Sequence, residues 1–142
     1  MVINRNKEKV LIVFSGYNQR AVVAFLRTLE KNDIENYVIV AASKDDTIFE
    51  TEYAKRVVYT REIKQLCLEE ILKAIDLIDE KYLAEQYIIA PSTEALNRFV
   101  LGNRSVLAEK KCFIPLVEKE LYEIINHKFF KHISTNFSTV AS

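Results

Sequence analysis

The chain has 142 residues, of which 49% are apolar and 28% charged, as is usual for a soluble globular domain. Lys and Arg together number 20, as do Asp and Glu, so the net charge is zero. Because a dedicated nucleic-acid binder usually carries a basic excess, this balance argues against that class. No apolar run approaches the roughly 18 residues of a membrane helix, and the N-terminal residues MVINRNKEK lack the apolar segment of a secretory signal. We therefore expect a single-domain cytoplasmic protein that binds neither nucleic acid nor membrane.

The cysteines and histidines give little support for catalysis or metal binding. Cys67 and Cys112 are isolated in the sequence, with no CxxC pair, and are predicted to be reduced. His127 and His132 are five residues apart, so they would lie on different faces of a helix. We predict no catalytic residue and no metal ligand in this chain.

Short apolar runs alternate with helical patterns along the sequence. Runs rich in β-branched residues, at 10–14, 37–42, 57–60 and 87–90, predict strands covered on both faces, and 112–114 predicts a brief fifth strand. Apolar residues at helical spacing predict helices that begin near residues 17, 68 and 94, and a further helix over 117–125. A short helix is predicted within 47–55, and another turn or two at 128–133. The last nine residues have little periodicity and are predicted to form a tail.

This alternation predicts the fold class. Strands joined through helices form right-handed βαβ units, which place helices on both faces of a parallel sheet. We predict an α/β, Rossmann-like three-layer fold with a mostly parallel sheet of four to five strands. The pattern leaves the order of the strands open.

The turn after the first strand is Ser15-Gly16-Tyr17-Asn18. A dinucleotide site would need GxGxxG here, because its glycines let the backbone approach a pyrophosphate. The chain has only two glycines, and one of them, Gly16, is in this turn. The turn could still bind an anion through the amides of the following helix. The alternative, which the residues alone favour, is that Gly16 only makes the turn tight.

Asp45 and Asp46 follow the second predicted strand. In dinucleotide enzymes an acidic residue near this place holds a ribose, but that interpretation depends on the missing glycine fingerprint. We expect a solvated acidic loop instead. A receiver domain is also excluded, because it needs an acidic pair after the first strand, where this chain has Ser15 and Gly16.

The segment 87–98, YIIAPSTEALNR, contains the strongest candidate for a binding turn. A buried strand ends at Pro91, and Ser92, Thr93 and Glu94 precede a helical pattern. In an open parallel sheet, ligands bind outside the carboxyl ends of strands, at the start of the next helix. A purely structural role is also open, because Ser92 suits an N-cap and Glu94 would gain about 0.3–1 kcal/mol from the helix dipole.

The segments APSTEALNRF and IPLVEKELYEIINHK, in this order, resemble the N-terminal domain of ATP-grasp ligases. The likeness is closest to the carbamoyl-phosphate-synthase-like and carboxylate–amine ligase branches, and it spans residues 9 to 133. In that family a Rossmann-like pre-ATP-grasp domain comes first, and a short DK sequence brings a lysine to the nucleotide phosphates. This chain has His127-Lys128 at that point, so the lysine matches and the acidic residue does not.

The resemblance implies roles for particular residues. Lys128 would contact the phosphates of ATP, although an exposed helix lysine is an equally good description of it. Ser92, Thr93 and Glu94 would face the substrate pocket, and the turn at 15–18 would line the same crevice. Residues 1–126 would form the pre-ATP-grasp domain, and residues 127–142 would begin the connection to an ATP-grasp domain.

In this family two further lobes clamp ATP and supply the acidic residues that bind magnesium. The resemblance thus implies ATP and Mg²⁺ in the full-length enzyme, with none bound to this chain alone and no turnover by it. The expected partners are an ATP-grasp domain, in cis or in trans, and a small-molecule carboxylate or amine. The alternative is a stand-alone, non-catalytic Rossmann-like binding or interaction module. Phe129, Phe130, Ile133 and Phe137 crowd the C-terminus and predict self-association into a homo-oligomer.

Overall fold

The computed structural model of the protein describes residues 9–16, 18–90, 94–115 and 123. Strands and helices alternate along this part of the chain, in the order β1 Lys9–Phe14, α1 Gln19–Lys31, β2 Tyr37–Ala41, β3 Val57–Thr60, α2 Leu68–Tyr82, β4 Gln86–Ala90, α3 Glu94–Gly102, α4 Arg104–Ala108 and β5 Cys112–Phe113. Two short 3-10 turns, Thr47–Glu50 and Glu52–Arg56, connect β2 to β3.

The five strands form one sheet in the order β3-β2-β1-β4-β5, and every pair of neighbours is parallel. This arrangement confirms the predicted α/β, Rossmann-like fold. The chain moves outward from β1 through β2 to β3, then crosses to the other side of β1 at β4. The direction of winding therefore changes between β1 and β4, which pair in register from Lys9 with Gln86 to Val13 with Ala90.

Each face of the sheet has its own apolar core. The isoleucines of α2 and the apolar residues of α3 and α4 cover one face, packing on the β1, β2 and β4 side chains that point to it. On the opposite face α1 packs through Val22, Leu26 and Leu29, joined by Ile48 and Tyr53 of the two 3-10 turns. The two layers of helices around one sheet complete the three-layer architecture.

The outer strand β3 is short and irregularly paired. It has four residues, all of them half-buried, and its register with β2 shifts between Ile39 and Val40. Parallel pairing resumes with Val40 opposite Tyr59 and Ala41 opposite Thr60. The carboxyl ends of β2 and β3 are therefore still aligned, and the chain beyond them continues along the same edge of the sheet.

The predicted strands and long helices match the described elements to within about two residues. The short helix expected within 47–55 is instead a pair of 3-10 turns, and α4 was not predicted. The helices predicted at 117–125 and 128–133 lie outside the described residues, except for residue 123, which is helical. Within the part that the structure describes, no helix is both long and apolar enough to cross a membrane.

Candidate functional site

The turn after β1 is built around a backbone that only glycine adopts easily. Ser15 continues the strand by donating its amide to the Val40 carbonyl, 2.9 Å away. Gly16 then has φ +99°, in the region where side chains are disfavoured. A Cβ on Gly16 would lie 2.2 Å from the Ala42 Cβ, well inside van der Waals contact. Gly16 is therefore explained by its conformation and by the close approach of the loop after β2.

A relay of hydrogen bonds runs from this turn into the protein. The Gly16 amide donates to Gln19 Oε1 at 2.9 Å, and Gln19 Nε2 donates to Ser15 Oγ at 3.0 Å. Since the Ser15 hydroxyl has one proton and accepts from Gln19, it donates to Asp46 Oδ1 at 3.0 Å. Each polar group in the relay thus has a defined direction, and the relay ends on a carboxylate.

Asp46 connects the turn after β1 to the loop after β2. Its Oδ2 accepts the Ala42 amide at 2.8 Å, and its Oδ1 accepts the Ile48 amide at 2.9 Å, which caps the first 3-10 turn. Only 8% of Asp46 is exposed. The expectation of a solvated acidic loop is therefore wrong for Asp46, although Asp45 beside it is exposed. The buried carboxylate is stable there because backbone and side-chain donors surround it.

Ser15 is a positioning residue in this arrangement. Its side chain is almost fully buried, with 1% of the residue exposed, and its proton is committed to Asp46. A nucleophilic serine needs both access to the substrate and a free base. The geometry therefore gives Ser15 the task of holding the turn.

The predicted site residues are described only in part. β4 ends at Ala90 and α3 begins at Glu94, as the sequence predicted, with Leu96 and Val100 buried on the sheet. Tyr17, Ser92, Thr93 and Lys128 lie outside the described residues, as does the side chain of Glu94. Since Val13 pairs with Ala90, β1 and β4 end side by side, and the chain leaves both strands at neighbouring points.

A second buried cluster, not predicted from the sequence, lies beyond the end of β3. Glu70, in the first turn of α2, is 6% exposed and accepts the Tyr59 hydroxyl and the amides of Glu62 and Ile63. Arg61, 2% exposed, donates to the carbonyls of Ile63 and Lys64, both at 3.2 Å. Burial, followed by the hydrogen bond to Glu70, raises the pKa of Tyr59. These contacts fix the loop 61–64 from both sides.

The amino-acid sequence gives only weak signals that Asp46 and Glu70 are buried. Asp46 precedes Thr47-Ile48, which suits a capping carboxylate. Glu70 stands four residues before the buried Ala74, on the edge of the apolar stripe of α2. Neither signal tells that the carboxylate is buried, because some of its donors, such as Ser15 for Asp46 and Tyr59 for Glu70, belong to other elements.

The two cysteines occupy different environments. Cys67 immediately precedes α2 and is half-buried, whereas Cys112 is buried in β5, and both are free thiols. Burial, followed by the nearby charges of Asp79 and Asp76, raises the pKa of the Cys112 thiol to about 12. Within the described part of the chain, no group of three His, Cys, Asp or Glu side chains could hold a metal ion.

Comparison with known proteins identified no relative of this chain. A scan against models of protein families gave no match, and neither did searches of curated proteins and of solved structures.

Proposed function

We propose that this protein is the N-terminal, substrate-side domain of an ATP-dependent carboxylate–amine ligase of the ATP-grasp kind. It would bind a small-molecule carboxylate or amine beyond the carboxyl ends of the strands, between β1 and β4. The turn at 15–18 would form one wall and Ser92, Thr93 and Glu94 the other, with Lys128 directed toward the nucleotide phosphates. ATP and Mg²⁺ would be held mainly by separate lobes, in cis or in trans.

The observation that carries this proposal is the strand order. Ligands of open α/β sheets bind outside the carboxyl ends of the strands, where the direction of winding changes. In this sheet that point lies between β1 and β4. The two segments that the sequence singles out for binding begin at the ends of those two neighbouring strands.

The chemistry assigns this domain a positioning task. In the ligase reaction, a carboxylate oxygen attacks the γ-phosphorus of ATP and ADP leaves; the amine nitrogen then attacks the acyl carbon and phosphate leaves. Holding the substrates in a reactive geometry accounts for a large part of such a rate enhancement. The relay from Gly16 to Asp46 suits this task, because it holds Ser15 and Gly16 in place before a ligand arrives.

The experiment is an amide NMR titration of the ¹⁵N-labelled chain with a panel of amino acids, dicarboxylates and ATP. We expect at least one amino acid to shift the amides of Gly16 and of residues 94–96, or a dicarboxylate to shift those of residues 94–96, in a saturable manner. The amides of Asn36 and Glu85, at the amino ends of β2 and β4, are the internal control. Shifts confined to the amino ends of the strands, or no shifts with any member of the panel, would contradict the proposal.

Lys128 is tested in the same titration. A lone lysine offers one contact with a phosphate and no clamp, so we expect ATP to bind this chain weakly. The variant Lys128→Ala should abolish that weak binding and leave the response to amino acids and dicarboxylates unchanged. ATP shifts of the same size in the variant would remove Lys128 from the nucleotide site.

A non-catalytic binding or interaction module is the second candidate. The observation that favours it is the relay itself, because Gly16, Gln19, Ser15 and Asp46 bond to one another. Adding a separately expressed ATP-grasp domain, of the carboxylate–amine ligase branch, separates the two candidates. ADP release that depends on both proteins supports the ligase domain. Ligand binding by the chain with no ADP release in the mixture supports the module.

A further inference from the structure

We propose that Gln19 and Asp46 determine ligand specificity by excluding phosphate and other anionic groups from the turn after β1. This inference rests on the proposed function, because it takes the carboxyl ends of β1 and β4 as the ligand site. It adds a chemical class: the part of the ligand that meets the β1 turn is neutral or cationic. Nucleotide phosphates have to lie elsewhere.

The first step concerns the Gly16 amide. In Rossmann-like folds that bind phosphates, the glycine-rich turn after β1 offers backbone N–H groups to the anion. Here the Gly16 N–H is already donated to Gln19 Oε1 at 2.9 Å. An incoming phosphate would have to displace that carbonyl oxygen before it could gain the N–H.

The second step concerns charge. The relay ends on the Asp46 carboxylate, which accepts from Ser15 Oγ at 3.0 Å and lies 3.3 Å from the point where a Gly16 Cβ would be. Although Gly16 itself is exposed, Asp46 is buried behind it, and a carboxylate this close repels a second anion at the turn.

The third step is that the arrangement is fixed. Asp46 cannot turn away from Gly16 without losing the amides of Ala42 and Ile48, at 2.8 and 2.9 Å. Gln19 holds Gly16 through Oε1 and Ser15 Oγ through Nε2, so swinging its side chain away from Gly16 would break both contacts. Anion exclusion is therefore a property of the folded turn and does not depend on the ligand.

The test is an NMR titration of the Gly16 amide with inorganic phosphate and with ADP, at constant ionic strength. The variants are Asp46→Asn and Asp46→Ser, the second of which keeps a side-chain oxygen to cap Ile48. Asp45→Asn is the matched control, since it removes the same charge from the exposed neighbouring residue. Gln19→Ala frees the Gly16 amide and leaves the carboxylate in place.

We expect no saturable shift of Gly16 in the unchanged protein or in Asp45→Asn. Either folded Asp46 variant should bind phosphate at least about tenfold more tightly than Asp45→Asn, and Gln19→Ala should gain less. Saturable binding of phosphate or ADP at Gly16 in the unchanged protein would overturn the inference. Equal affinities of the Asp46 and Asp45 variants would also overturn it. These outcomes do not depend on the proposed ligase activity, which fails separately if amino acids and dicarboxylates leave the unchanged protein unperturbed.

Discussion

Two buried carboxylates lie beyond the carboxyl ends of the strands, and they differ in what they connect. Asp46 and Glu70 are similarly buried, at 8% and 6% exposure, and each accepts two backbone amides and one hydroxyl; Asp46 also accepts Gln19 Nε2 at 3.4 Å. The hydroxyl donor of Asp46 is Ser15, 31 residues away, whereas the donors of Glu70 lie within 11 residues of it.

The difference in sequence separation gives the two groups different tasks. Asp46 fastens the loop after β2 to the turn after β1, so its loss should be felt next to the proposed ligand site. Glu70 holds one loop at the outer side of the sheet, so its loss should remain local. The same hydrogen-bonding chemistry thus stabilises a junction between segments in one case and a single loop in the other.

Of the replacements considered, that of Asp46 should lower the free energy of unfolding most. The variant Asp46→Ala leaves the Ala42 and Ile48 amides and the Ser15 hydroxyl without their acceptor. Buried donors that lose their partners each cost about 1–3 kcal/mol, so we expect a loss of about 3 kcal/mol in the free energy of unfolding. Urea denaturation measures it. Asp45→Ala is the control and should stay within about 0.5 kcal/mol, because Asp45 is exposed.

The two glycines of the chain provide the next comparison. Gly16→Ala forces a side chain into φ +99° and against Ala42, and it should cost about 2 kcal/mol or more. Gly102, the last residue of α3, has open space around it, so Gly102→Ala should raise stability by about 0.5 kcal/mol. Thermal unfolding of both variants is the measurement. Similar melting temperatures for the two would show that the turn after β1 relaxes freely.

Replacing Glu70 should have a smaller and more local effect. In Glu70→Gln one of the three donors loses its acceptor, and we expect a loss of about 1.5 kcal/mol. Hydrogen exchange should become faster at the amides of Glu62 and Ile63, and should stay unchanged at Gly16 once the global change is subtracted. Faster exchange at Gly16 as well would mean that the contacts of Glu70 and those of Asp46 are coupled, which would contradict a purely local role for Glu70.

The cysteines can report the same local loosening. Cys67 follows the loop that Glu70 holds, so alkylation of Cys67 at pH 8 should be a few times faster in Glu70→Gln than in the unchanged protein. Cys112 serves as the internal reference, because its raised pKa, about 12, keeps the thiol protonated until the solution is strongly alkaline. Mass spectrometry of the alkylated peptides measures both rates. Comparable alkylation of Cys112 and Cys67 at pH 8 would contradict the burial of Cys112.

The elements were predictable from the sequence because their signals are local. Strands such as Tyr37–Ala41 and helices such as α2 follow from apolar runs and periodic apolar faces, which depend on residues a few positions apart. α4 was missed because five residues are too few to show a period. The order of strands and the neighbourhood of β1 and β4 depend on packing between distant segments, which no local pattern encodes.

The candidate site was predictable in position but not in its internal contacts. The turn at 15–16 and the start of α3 at Glu94 were identified from the ends of apolar runs. The sequence predicts a solvated loop at Asp46, because an acidic pair in a polar stretch is usually exposed. Besides the nearby amides of Ala42 and Ile48, its partners are Ser15 and Gln19, which are 31 and 27 residues away. A carboxylate with partners so distant cannot be told from a surface aspartate by its neighbours in the sequence.

The short outer strand β3 also bears on how the protein behaves at high concentration. An exposed strand edge is a template on which another chain can add, and long regular edges lead to aggregation. Val57–Thr60 offers only four residues, and its pairing with β2 is already irregular at Ile39 and Val40. Another chain could add few backbone hydrogen bonds there before the strand ends at Thr60. Addition of another chain at the β3 edge is therefore disfavoured.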